Sequence, residues 1–243
     1  CPGLPSMALA VTEMSRRVAS ANSRPENRRG VASRMTAGAG GAARERWVGL
    51  ESNPEVMTQY ARKLGVASDW AFTDCWGLED DALAAVPQPC LACIFLYPFS
   101  QVEARKAALG ARRAAPDPRV WHMRQLVHNA CGAVAIMHSV MNNMPRVRAR
   151  CGASFLESFD RGASSHERGQ MFTNDARAIH SDLAARGQTA APAKSAELDF
   201  HFISLVGVDG RLWELDGNND GPVDCGPLGD DLLRAVSAPR AKD

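Results

Sequence analysis

Apolar and polar positions divide this chain into stretches with distinct periods. Phe200–Val208 and Arg211–Leu215 are rich in aromatic and β-branched residues and flank Asp209-Gly210. Such runs on either side of an Asp-Gly pair are the strongest short-range signal for a β-hairpin. Ala130–Val140 is almost unbroken apolar and predicts a buried core helix, while Leu91–Tyr97 predicts a buried strand. Glu55–Leu64 predicts a short helix after Asn53-Pro54, with Gly65 as its stop. Phe155–Phe159 is expected to be part of another helix and Asp230–Val236 a final one. Arg105–Arg119, with Pro116 and Pro118, predicts a linker. Ser181–Ala196, made of small and turn-forming residues, predicts a mobile loop. The fold class is therefore α+β, with helices packed on a largely antiparallel central sheet.

The hairpin carries a geometric consequence. With Asp209-Gly210 as a two-residue turn, cross-strand partners have numbers summing to 419. Asp216 then lies opposite Ile203, which shares a sheet face with His201 because side chains alternate with period two. His201 and Asp216 become diagonal neighbours with backbones roughly 7–8 Å apart, a gap that an imidazole and a carboxylate close. A slip of one residue would separate them onto opposite faces.

The core helix begins with a cysteine. A free thiol near pKa 8.5 is mostly protonated at neutral pH, and a helix N-terminus or an imidazolium favours the reactive thiolate. Asn129 is the expected N-cap, which places Cys131 in the first turn. Gln125 lies in the preceding loop, where its NH2 and the Cys131 backbone N–H are candidate donors to an oxyanion. Cysteine, histidine, carboxylate and amide are the parts of thiol-dependent acyl transfer. His122, His128 and His138 lack comparable partners and are expected to be packed or solvent-facing, and Asp74 either assists substrate binding or caps a turn.

The 243 residues are enough for one or two domains, and the formal charge is +1. Residues 1–46 hold eight Arg, no Lys and three Glu, which leaves a mildly acidic body of about −4 in residues 47–243. That balance gives no reason to invoke nucleic acid, and no apolar run is long enough to span a membrane. Seven cysteines, an odd and scattered set, fit a reducing compartment better than a disulfide framework. Cys90 and Cys93 open a strand, so they are expected on opposite faces as buried structural thiols rather than as a redox or metal motif. Residues 1–46 lack apolar periodicity and are expected to be a disordered or non-native extension, with Met35 as a candidate start and a transit peptide as the alternative.

Three blocks of residues 47–221 resemble the ubiquitin C-terminal hydrolase family, thiol peptidases with a papain-like architecture. They are Trp47–Val56 with Leu64-Gly65 and Phe72–Asp74, then Gln125–Gly132 with Asn142-Asn143, then His201–Gly210 through Glu214–Gly217. The resemblance implies that Cys131 is the nucleophile, His201 the general base and acid, Asp216 its orienting partner and Gln125 the oxyanion donor. It also implies substrate contacts at Leu50, Glu51, Ser52, Asn53 and Pro54. Further contacts are implied at Gly187, Gln188 and Thr189, in a loop that limits the leaving group to something small or unfolded. Ubiquitin or a ubiquitin-like modifier is the implied partner of a cytoplasmic monomer, with the nucleus as a second location and no cofactor or metal. A catalytically silent ubiquitin-binding protein and a thiol acyltransferase for small acyl donors stay open as alternatives. The family usually continues past the last helix into a strand that completes the sheet, so residues 47–243 are expected to form a C-terminally incomplete domain.

Overall fold

The computed structural model describes residues 45–98, 115–148, 155–159, 162–186 and 200–237, and the backbone of residues 7–13. In chain order the elements are β1 (Met7–Glu13), α1 (Pro54–Leu64), β2 (Trp70–Cys75), α2 (Asp80–Ala84), β3 (Ala92–Pro98), α3 (Cys131–Asn142) and α4 (Met144–Val147). A 3-10 turn (Phe155–Ser158), α5 (Ser165–Asp175), α6 (Arg177–Ala184), β4 (Phe200–Val208), β5 (Arg211–Leu215), β6 (Val223–Pro227) and α7 (Leu232–Ser237) follow.

The strands form one sheet in the order β2-β1-β3-β4-β5-β6. β1 runs parallel to both its neighbours, and the pairings from β3 to β6 are antiparallel. The α+β class with a largely antiparallel sheet is therefore present, with a parallel corner. Inside the segment expected to carry no element, Met7–Glu13 pairs with Trp70–Cys75 on one side and with strand β3 on the other. That expectation is corrected for these seven residues. A strand flanked by parallel partners reads as a continuous apolar run rather than an alternation, and Met7–Val11 is such a run. The hairpin has the expected register, with Ser204 opposite Leu215 and Val208 opposite Arg211.

Helix α1 shows local chemistry at both ends. Asn53 caps it by accepting from the Glu55 and Val56 N–H groups, Pro54 takes the first turn, and Gly65 closes it at φ 110°. Its buried stripe of Val56, Met57, Tyr60, Ala61 and Leu64 faces the core. Helix α3 is buried on nearly every side and packs on β4, where the Ser139 and Ser204 hydroxyls meet at 2.7 Å. Its first residue is Cys131, but the N-cap is Ala130 rather than Asn129. Asn129 instead sits in the left-handed region at φ 64° and donates its side-chain N–H to the Trp47 carbonyl. A tertiary contact has claimed the side chain that would have capped the helix.

Cys90 also departs from expectation. It lies before β3 rather than within it, so the chain bends and its thiol hydrogen-bonds that of Cys93. Both are buried in an apolar cluster with Cys75 and Leu205, which keeps them structural thiols. The described part of the 105–119 linker, residues 115–119, runs in irregular backbone over the end of the sheet. No described helix is long and apolar enough to cross a membrane.

Besides His201, three histidines are buried among the described residues. His180 stacks against Trp47 with ring centroids 4.4 Å apart and bonds the Val48 carbonyl at 2.7 Å, while His122 and His138 stack on each other at 4.8 Å. Burial is the dominant cause that holds His122 and His180 down at about 4 and His138 well below the ordinary value. The unfolded chain binds protons at these positions from pH 6.5 downward and the folded one does not. Their contribution is therefore complete above that pH and is lost as pH falls towards 4. Urea unfolding should show stability falling in this window by about 1.4 kcal/mol per pH unit for each histidine. A flat profile there would contradict neutral burial.

Candidate active site

The end of the hairpin and the start of α3 meet in the core. His201 projects from β4 and Asp216 follows β5 directly, and His201 Nε2 lies 2.8 Å from Asp216 Oδ1. The diagonal contact expected from the register is present. Residues His201, Asp216 and Cys131 are 1%, 4% and 6% exposed, so their electrostatics act with little solvent screening. The Cys131 thiol hydrogen-bonds the His201 ring. With Nε2 turned to the carboxylate, Nδ1 is the nitrogen left for the sulfur. Tyr97, opposite His201 in the β3–β4 ladder, sets its ring edge-on to the imidazole at 5.6 Å and 86°.

Burial alone would strip His201 of its proton. The hydrogen bonds to Asp216 and Cys131 and their charges outweigh it and push the imidazole up to about 10. Burial likewise opposes the Asp216 charge, yet the His201 hydrogen bond and the Asn218 N–H hold that carboxylate below its ordinary value. The Asn218 backbone N–H donates to Asp216 Oδ1 at 2.9 Å, and the Asn218 amide stands 3.5 Å from His201 Nε2. Asn218 was not anticipated, although an Asp followed two residues later by a free N–H is a recognisable turn signal. The pair is thus ionised on both sides through the neutral range.

Gln125 reaches the site through backbone. Its N–H donates to the Gly217 carbonyl at 2.8 Å, next to Asp216, while its side-chain Nε2 donates to the Val127 carbonyl at 2.9 Å. One amide N–H remains beyond that bond, and Oε1 is buried without a partner. His122, expected to be packed or exposed, is packed, and it also bonds the Asp216 carbonyl at 3.0 Å. Asp74 lies half-buried in β2.

The residues expected at the substrate surface divide. Leu50 is buried, with Cβ 3.1 Å from the position a Cβ on Gly132 would take, so the missing side chain at Gly132 lets this segment approach α3. Asn53 and Pro54 serve the start of α1. Glu51 Oε2 and Ser52 Oγ are buried without partners. Gly187, Gln188 and Thr189 lie outside the described residues, as do Cys1 and Cys151.

The family model for ubiquitin carboxyl-terminal hydrolase, family 1, matches residues 47–242. The chain belongs to this family. Within it, a ubiquitin carboxyl-terminal hydrolase of Drosophila melanogaster is 42% identical over 206 residues, covering 81% of this chain and 89% of that protein. Ubiquitin carboxyl-terminal hydrolase 3 of Arabidopsis thaliana is 38% identical, covering 75% and 80%. Isozyme L1 of Rattus norvegicus is 34% identical, covering 76% and 84%. The fold is that of the catalytic domain of Trichinella spiralis UCH37, solved bound to ubiquitin vinyl methyl ester, at TM-score 0.56. That likeness covers 79% of this chain and 84% of the other at 22% identity.

Gly217, next to Asp216, has little room for a side chain in this family member. A Cβ there would stand 2.8 Å from Val134 Cγ1 and 2.9 Å from Gln125 Cβ, so the loop holding Asp216 would have to move. Gly217→Ala should lower the stability measured by urea unfolding by about 1–3 kcal/mol, as overpacking does. Wild-type stability in that variant would contradict the close approach.

Proposed function

We propose that this chain hydrolyses bonds at the C-terminal glycine of ubiquitin, as a cysteine-type deubiquitinating enzyme using Cys131, His201, Asp216 and Gln125. Family membership supports the activity, and the buried Cys131–His201–Asp216 hydrogen-bonded chain is the single observation that supports these four residues in this role.

The chemistry follows from the charges. The Cys131 sulfur, as thiolate beside the His201 imidazolium, attacks the carbonyl carbon of the terminal glycine. The tetrahedral oxyanion takes hydrogen bonds from the Cys131 N–H at the start of α3 and from the second Gln125 side-chain N–H. His201 gives its proton to the leaving amine as the C–N bond breaks, which leaves a thioester. Water then attacks the thioester, with His201 taking its proton. The C–S bond breaks, ubiquitin leaves as a carboxylic acid that loses its proton to solvent, and the thiolate–imidazolium pair is restored. Asp216 holds the ring in the required orientation throughout and stabilises its charge.

Leu50–Pro54 form part of the proposed ubiquitin contact by family resemblance. Gly187, Gln188 and Thr189 complete the proposed substrate surface by family resemblance. The odd, scattered set of seven cysteines favours a reducing compartment, and we place the enzyme in the cytoplasm.

Release of a fluorescent amine from the ubiquitin C-terminus tests the reading. Cys131→Ala should abolish it, and loss of Gln125 donation in Gln125→Ala should cost on the order of 10²–10³ in kcat. Asp216→Asn should lower kcat roughly 10²–10⁴-fold and move the basic limb of the pH profile downward, because the main support of the His201 proton is gone. Undiminished release by Cys131→Ala would refute the assignment.

A further inference from the structure

The buried pair of rings behind the acid loop has no part in the chemistry above, yet it touches the backbone of the acid itself. We infer that His122, locked in one tautomer by Ser165, is a positioning residue that fixes the catalytic carboxylate through the Asp216 carbonyl; this rests on the hydrolase reading.

The hydrogen-bond accounting closes in only one way. His122 Nε2 lies 3.0 Å from the Asp216 carbonyl, which can only accept, so Nε2 carries the proton. In a neutral ring Nδ1 must then accept, and its neighbour at 3.0 Å is the Ser165 hydroxyl. That hydroxyl also stands 3.1 Å from the His122 carbonyl, but Arg168 already supplies this oxygen through Nη1 at 3.0 Å. Donation of the Ser165 proton to Nδ1 instead of to that carbonyl is the arrangement in which Nδ1 and the carbonyl both keep a partner. Arg168 and His122 are each more than nine-tenths buried, so these bonds do not compete with bulk water.

The surroundings keep the ring uncharged and in place. His138, from α3, stacks on it with planes 20° apart, and Arg124 and Arg168 add positive charge nearby. The Asp216 carboxylate acts on it in the opposite sense, and burial dominates. The Ser165 carbonyl accepts from the Arg124 N–H at 2.8 Å, so the start of α5 is tied to the same segment as the ring. The carbonyl that His122 holds and the carboxylate that orients His201 belong to one residue, joined through its Cα. Fixing one restricts the other, and a misplaced carboxylate is a weaker support for the imidazolium.

The test compares His122→Phe, His122→Gln and Ser165→Ala with wild type by turnover of a ubiquitin C-terminal amide across pH. Phe keeps a stacked ring and loses both bonds, whereas Gln places an amide N–H near the Nε2 position. Ser165→Ala leaves the ring but frees its tautomer. The inference expects His122→Phe to lower kcat about tenfold at unchanged KM, the scale of one oriented hydrogen bond. It also expects the basic limb to move to lower pH in His122→Phe. Ser165→Ala should move it in the same direction by less, and His122→Gln should return both readouts towards wild type. Variants that melt earlier but keep the wild-type basic limb and kcat per folded molecule would overturn the inference while leaving the hydrolase intact. Absence of turnover in folded wild type would overturn the hydrolase reading, and this inference with it.

Discussion

An irregular stretch of backbone, from Trp121 to Ala130, runs through the core between α3 and the acid loop, and the site depends on how its polar groups are met. Backbone N–H and C=O groups that leave water must find partners, and apart from an isolated bridge between His128 and Arg46 this stretch has no helix or strand ladder to provide them. Side chains and distant loops do so instead. Asn142 brackets Trp121 with two bonds of 2.8 Å, His138 lies 3.1 Å from the Met123 nitrogen, and the Ser165 and Gly217 carbonyls accept from Arg124 and Gln125. Together these bonds join α3, the start of α5 and the loop after β5 to the segment that carries Gln125 into α3 and Cys131. The same bonds that satisfy this backbone set the relative positions of Gln125, Cys131 and Asp216.

The buried imidazole and carboxylate impose the opposite demand. Removing one partner of such a pair typically costs about 3–5 kcal/mol, because the other charge is left uncompensated in a poor solvent. His201 keeps its proton up to about 10 because Asp216 and Cys131 overcome burial, while His122, His138 and His180 lose theirs for want of such partners. Four histidines in similar degrees of burial thus divide into one cation and three neutral rings by their neighbours alone. The sign of the pH effect divides with them: the His201 contribution to stability is complete below pH 6.5 and fades as pH rises towards 10, the reverse of the other three.

The legible parts of the fold were local ones. Asp209-Gly210 sets the hairpin register, and that register alone brings His201 to Asp216. The Asn53-Pro54 start and Gly65 stop of α1 were equally readable. What stayed hidden was tertiary. Asn129 looks like a cap but spends its amide on Trp47, Cys90 bends back to Cys93, and the amide of Gln125 engages Val127. Met7–Glu13 escaped because a parallel interior strand has no alternation to detect. Helix α5 carried a signal that was overlooked, the Ser164–Glu167 capping box. The link from His122 to Asp216, 94 residues apart in sequence, left no trace in any local pattern.

The most direct measurement of the central claim is intact-mass and peptide mapping after exposure of the folded chain to ubiquitin carrying a C-terminal electrophile. The account predicts one covalent adduct, on the peptide that contains Cys131, and no adduct at the buried Cys75, Cys90 or Cys93. Failure of a folded chain to be captured, or capture at another cysteine, would contradict it.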